Sequence, residues 1–170
     1  GPAVDVGVNV ASVALLNPLV SAASPLLGLI ASLRQATQAP QVPALRASLV
    51  AAVQRFEAQA QQAGVAQGAV VAARYVLCTA LDEAVANTPW GAQAGWNKQS
   101  LLVQFHNETW GGEKVFQLLA KLAQDVPTNR QLLELLYCVL ALGFEGRYRV
   151  IDNGRAQLDG VRQRLADLIR

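Results

Sequence analysis

The sequence predicts an all-α fold of about seven helices, and three observations predict it. Apolar residues recur at helical i, i+3, i+4 spacing along most of the chain, and no stretch shows the alternation of a half-buried strand. Pro, Asn, Ser and Gly break these runs at short intervals, as in helical bundles. Hydrophobic residues make up 52% of the 170 and charged residues 15%. That composition excludes a disordered chain, and at this length roughly 70% of the unfolded surface is buried on folding. So few charges cover a surface thinly, which points to protein partners. The net charge of +2 comes without a dense Lys/Arg run or aromatic–basic interleaving, so nucleic acid is not an expected partner.

Gly1-Pro2, in a chain without methionine, reads as the scar of a tag protease and marks an excised fragment. Residues 1–16 therefore read as scar plus a small-residue, Val-rich segment expected to be poorly ordered, and residues 17–170 as the helical domain. Asn17-Pro18 and Ser24-Pro25 both have N-cap and N1 chemistry. The first firm helix is expected from about Ser24 to Gln38, with Leu26, Leu29, Ile30 and Leu33 on one face. A stiff APQVP linker, Ala39–Pro43, leads to a second helix opened by Pro43, with Leu45, Leu49, Ala52, Val53 and Phe56 inward and Gly64 as its stop.

The central helix is Ala69 to Asn87, AVVAARYVLCTALDEAVAN. Val70, Ala73, Leu77, Leu81 and Ala84 form one face, widened by Val71, Cys78 and Val85 until it nearly surrounds the helix, so it belongs inside a core. Arg74 projects into that face and needs an anionic partner. Asp82 and Glu83 lie in the last turns, where negative charge opposes the helix dipole. Asp82 points toward Tyr75 and Cys78 and is expected to be partly sheltered; Glu83 points away and is expected to be exposed. Replacing both by Lys is then expected to leave the fold intact.

After a loop containing Trp90 and Trp96, Ser100 caps a short helix carrying Leu101, Leu102, Phe105 and His106. Thr109 is expected to cap the next helix, to about Asp125, and Thr128 with Gln131 to form a capping box for Asn129–Leu142, which Gly143 ends. Phe144–Ile151 reads as an irregular connector and Asp152-Asn153-Gly154 as a turn. The last helix, Arg155–Arg170, carries Leu158, Val161, Leu165 and Leu168 on one face. Cys78 and Cys138 sit in apolar helical patterns and read as buried, reduced thiols.

No catalytic constellation emerges. His106, the single histidine, could ligate a metal with Glu108, but one His without a Cys cluster is a weak site, so no metal and no cofactor is expected. Trp110-Gly111-Gly112-Glu113-Lys114 lacks the length and Lys-Ser/Thr ending of a phosphate loop. Adjacent helical side chains diverge by about 100°, so Asp82 and Glu83 cannot converge on one bond as an acid–base pair. Arg74, Glu108, Glu113, Glu145, Arg147 and Arg149 sit in apolar surroundings and read as a semi-buried ion-pair network or as solvated side chains, with the network favoured for Arg74.

Three stretches together carry a family resemblance: ARYVLCTALDEAVANTPWG (Ala73–Gly91), SLLVQFHNETWGGEKVFQLL (Ser100–Leu119) and LLELLYCVLALGFEGRYRV (Leu132–Val150), with NPLVSAASPLLGLI (Asn17–Ile30) in agreement. The chain resembles the cytoplasmic domain of the TssL (DotU/IcmH-like) family of bacterial type VI secretion systems. The resemblance implies two three-helix bundles in a hook-like arrangement, on the cytoplasmic face of the inner membrane, before a single C-terminal transmembrane helix. It implies a non-enzymatic assembly role, with the TssM cytoplasmic region, TssK and TssE as partners, TssJ reached through TssM, and a homodimer of the full-length protein. Asp82-Glu83 matches the family's acidic pair at a cleft between the bundles, which makes these two the expected partner-binding residues. Arg155, Arg162, Arg164 and Arg170, set against Asp159 and Asp167, fit the cytoplasmic side of a span, so an apolar segment of about 20 residues is expected soon after Arg170. The alternatives are a small-ligand sensor built on the same cleft, a DotU/IcmH-type stabiliser of an IcmF-like protein in type IVB secretion, and a hydrolase. An enclosed pocket would favour the sensor and an open groove the assembly module.

Overall fold

The computed structural model describes residues 16–170. The expectation of poor order before Asn17 falls outside these residues, except at Leu16, which is exposed. Helices α1 (Pro18–Gln35), α2 (Val42–Gln62) and α3 (Gln67–Ala86) come first. A 3-10 turn (Trp96–Gln99) leads to α4 (Leu101–His106), then α5 (Lys114–Leu122) and α6 (Val126–Ala141). A second 3-10 turn (Gly146–Arg149) precedes α7 (Gly154–Ile169). No strand occurs among the described residues, so the fold is all-α.

α3 is the hub. It packs on α1, α2, α4 and α6, and Val70, Ala73, Val76, Leu77, Cys78, Leu81 and Val85 are all closed to solvent. α1, α2 and α3 pack pairwise into one group. In the other, α6 lies against α1 and α3 and carries α5 and α7. Both cysteines are buried free thiols.

Three boundaries differ from the sequence reading. α1 begins at Asn17, whose side chain accepts the Val20 N–H at 3.0 Å, and runs through Pro25. Ser24-Pro25 is therefore helix interior and not a second start. The carbonyl that Pro25 leaves unbonded belongs to Ser21, and both residues lie on the exposed side. The buried stripe Leu19, Ala23, Leu26, Ile30 and Leu33 is continuous across them, and that burial outweighs the local breaker. α5 starts at Lys114, not near Thr109, because the two glycines before it pack flat on the core. A Cβ on Gly111 would collide with the Thr79 hydroxyl, and the Gly112 carbonyl accepts the Arg147 N–H at 3.0 Å. α6 is capped by Asp125, which accepts the Thr128 N–H at 3.3 Å. Pro127 sits in its first turn, where the missing N–H is no loss, so Thr128 is inside the helix.

In α7, Ile169 is buried and Leu168 is 42% exposed, the reverse of the expected face. The connector after Gly143 is ordered as the second 3-10 turn.

Candidate functional site

The acids at the end of α3 each meet the N-terminus of another element. Asp82 accepts three N–H groups, Trp96 Nε1, Leu101 N and Leu102 N, all at 2.9 Å. Leu101 and Leu102 open α4, so Asp82 satisfies donors that a helix start leaves unpaired. Ser100 completes the cap, its hydroxyl accepting the Val103 N–H at 3.1 Å. Glu83 accepts Glu145 N at 2.9 Å and Gly146 N at 2.8 Å, where the second 3-10 turn begins. The Arg34 guanidinium stands 3.9 Å away. The dipole cost at the end of α3 is thus offset by two other N-termini that want negative charge.

Glu83 is therefore not an exposed acid; its side chain is only 14% accessible. Burial pushes both carboxyls above their ordinary values, and their N–H donors pull them partway back. Two adjacent residues on one rigid helix hold the two loops that wall a cleft.

The cleft has a volume of about 280 Å³. Thr79, Asp82 and Glu83 lie in it on one side, with Trp110, Gly146 and Val150 among its other walls. Gly146 has φ +55°, and a Cβ there would stand 2.6 Å from the Gly112 carbonyl oxygen, so only glycine lets the two loops close on each other. Trp110 is 56% exposed and Val150 79%. Sequence reasoning missed both. The sign of Trp110 was an aromatic placed directly before Gly-Gly, where the flat backbone leaves the ring no core to enter.

The other charged candidates do not converge on one network. Arg74 donates to Glu57 at 2.8 Å and to His106 Nε2 at 3.1 Å, tying α2, α3 and α4 together. Its partner, Glu57, is the sole acid between Asp5 and Asp82, which was the available clue. Glu108 accepts the Tyr75 hydroxyl at 2.6 Å and pairs with Lys114 at 3.0 Å. Arg147 faces Glu113 at 3.9 Å, and Glu145 faces Arg149 at 3.6 Å. These are separate pairs, the last two both anchored on the second 3-10 turn. His106 engages Arg74 and Glu108 engages Tyr75 and Lys114; among the described residues no group of three or more His, Cys, Asp or Glu is placed to hold a metal ion.

His106 carries a pH prediction. Its ordinary value is 6.5, and burial together with the Arg74 guanidinium holds it lower. The folded state then binds this proton more weakly than the unfolded chain. The contribution to stability is complete above the unfolded value and is lost as pH falls below it. Wild type should lose more melting temperature than His106→Gln between about pH 7.5 and pH 5, because glutamine keeps an acceptor for Arg74 without titrating. Parallel pH curves for the two proteins would rule this out.

Residues 18–170 match the family model described as "Type VI secretion system protein DotU". The crystal structure of TssL from Vibrio cholerae superposes with a TM-score of 0.82 at 38% identity, covering 90% of this chain and 95% of that one. The cytoplasmic domain of TssL from Acinetobacter baumannii gives a TM-score of 0.81 at 24% identity over 91% of this chain and 97% of that one. SciP/TssL from Escherichia coli Enteroaggregative 042 gives 0.69 at 24% identity over 90% and 84%; these last two likenesses are of fold. No curated protein matches the chain. The family model spans every described helix and one relative is more than a third identical over nearly the whole domain, so the chain belongs to the DotU family of type VI secretion system proteins.

Proposed function

We propose that this domain is a non-enzymatic assembly module of the type VI secretion membrane complex, and that the cleft beside Asp82 and Glu83 is its protein-docking surface. The observation that carries this reading is the exposed apolar rim, Trp110 with Val150, on a cleft whose walls are held by half-buried carboxylates. A large exposed aromatic beside a preformed recess is the usual anchor point of a protein interface. The candidate partners are the TssM cytoplasmic region, TssK and TssE, with TssJ reached through TssM. Membrane attachment at the cytoplasmic face belongs to the same proposal and needs an apolar segment outside these helices, since among the described residues no helix is long and apolar enough to cross a membrane.

In this reading Asp82 and Glu83 act by holding the cleft's shape and contribute negative potential to it, while the rim makes the contacts. The rim therefore offers the clean test. Trp110→Ala and Val150→Asp should each weaken binding to at least one of the three partners by about tenfold or more in calorimetric titrations. Their melting temperatures should stay within about 2 °C of wild type, as exposed positions allow. Unchanged affinity for all three partners would reject the docking role.

A further inference from the structure

A second recess lies on the far side of the 3-10 turn Gly146–Arg149. Gly146 and Arg149 face the cleft, whereas Arg147 and Tyr148 line a groove of about 310 Å³ between α5 and α7. Both helices pack on α6 and hardly on each other, so the slot between them is unfilled. Its floor is Phe116, Leu119 and Leu165, all buried. Along α7, Val161, Leu165 and Leu168 follow i, i+4, i+7 spacing, the stripe with which a helix meets another helix. Leu168 remains 42% exposed at the edge of that stripe.

The charges on the groove are of one sign. Arg147 and Arg164 line it, and no carboxylate does. Arg147 lies over the Phe116 and Tyr148 rings, donates to the Tyr148 hydroxyl, and has Glu113 at 3.9 Å. Arg164 has no ion pair among the described residues. The acids of α7 are engaged elsewhere on the same helix, Asp159 with Arg162 and Asp167 with Arg170.

We propose that this groove receives an acidic amphipathic helix of a partner protein, its apolar edge on Val161, Leu165 and Leu168 and its carboxylates on Arg147 and Arg164. Helix-in-groove recognition reads apolar anchors at this spacing, and the paired arginines select acidic flanks. The stripe from Val161 to Leu168 is about two helical turns, roughly 10 Å, so a short segment suffices. A second copy of the chain fits less well. Outside the groove, the exposed large apolar residues of the described chain are Leu16, Val71, Trp110, Val150 and Ile151. None of these belongs to a helix edge flanked by carboxylates.

The test uses the full 170-residue chain and two designed, fluorescently labelled helical peptides with the same Leu stripe, one flanked by Glu and one by Lys. The Glu-flanked peptide should bind at least about tenfold tighter, with amide shifts in α5 and α7 and none in α2. Arg164→Glu should reverse the preference between the peptides. Leu168→Glu, at an exposed position, should abolish binding of both without lowering the melting temperature. Equal affinity for the two peptides, no binding at millimolar concentration, or a preference unchanged in Arg164→Glu would overturn the proposal. So would sedimentation showing a dimer that Leu168→Glu dissociates, which would give the groove to a second copy. Arg164-dependent binding to anionic vesicles with no binding of the Glu-flanked peptide would give it to lipid and overturn the proposal equally.

Discussion

Asp82→Ala should lower the melting temperature by roughly 6–12 °C, the shift that about 3 kcal/mol produces in a domain of this size. The substitution removes the acceptor shared by Trp96 Nε1, Leu101 N and Leu102 N. Trp96, Leu101 and Leu102 are each at most 2% exposed, so loss of the oxygens leaves three largely buried donors without a protein acceptor. A buried donor left unpaired costs about 1–3 kcal/mol, so three at the low end already reach about 3 kcal/mol. Asp82→Asn keeps one acceptor oxygen and should lose about half as much. Thermal melts of the three proteins at neutral pH check the order wild type, Asn, Ala. An alanine variant that melts with wild type would mean that the start of α4 does not depend on Asp82.

Glu83→Lys should release the connector after α6. Two N–H groups, those of Glu145 and Gly146, lose their acceptor, and the new ammonium faces Arg34, which stands 3.9 Å from the present carboxylate. Two orphaned donors cost about 2–6 kcal/mol before the like-charge repulsion is added. Hydrogen exchange localises the effect: the amides of Glu145 and Gly146 should exchange much faster, while those of α1 and α2 keep their protection relative to global stability. Unchanged protection at 145 and 146 would show that the connector is held by its other contacts. Together, Asp82→Lys and Glu83→Lys should remove about 5 kcal/mol or more, comparable with the whole stability of a domain at about 5–15 kcal/mol. The sequence-based expectation that the fold tolerates double charge reversal is therefore corrected: the reversed residues are caps of two other elements, not surface charges. Loss of partner binding in that double variant would report unfolding, which is why the docking test uses Trp110 and Val150.

Much of the fold was legible in the residues themselves. Periodicity located α3 to within two residues at its start and one at its end, and side-chain chemistry identified Asn17 and Ser100 as caps. Gly143 follows α6 as expected, with φ +108°. The demand of Arg74 for an anion was readable too, because a guanidinium on an apolar face has no other way to be satisfied. These are local facts: a helical turn, a cap and a breaker involve residues within about four positions of one another.

What the residues by themselves did not determine is what each of these groups faces. Pro25 reads as a helix start until the continuous buried stripe on either side is seen to outweigh it. Leu168 and Ile169 exchange places because packing on α6 sets the rotation of α7, and neighbouring positions on one helix look alike in a periodic pattern. The acids at the end of α3 look misplaced within their own helix, and their helix is all that local reasoning can consult. Asp82 meets Leu101 N across 19 residues of chain and Glu83 meets Glu145 N across 62. The electrostatic field at a carboxylate comes from whatever stands within a few ångströms in space, so only the packing of α4 and the second 3-10 turn against the end of α3 turns two unfavourable charges into the anchors of a cleft.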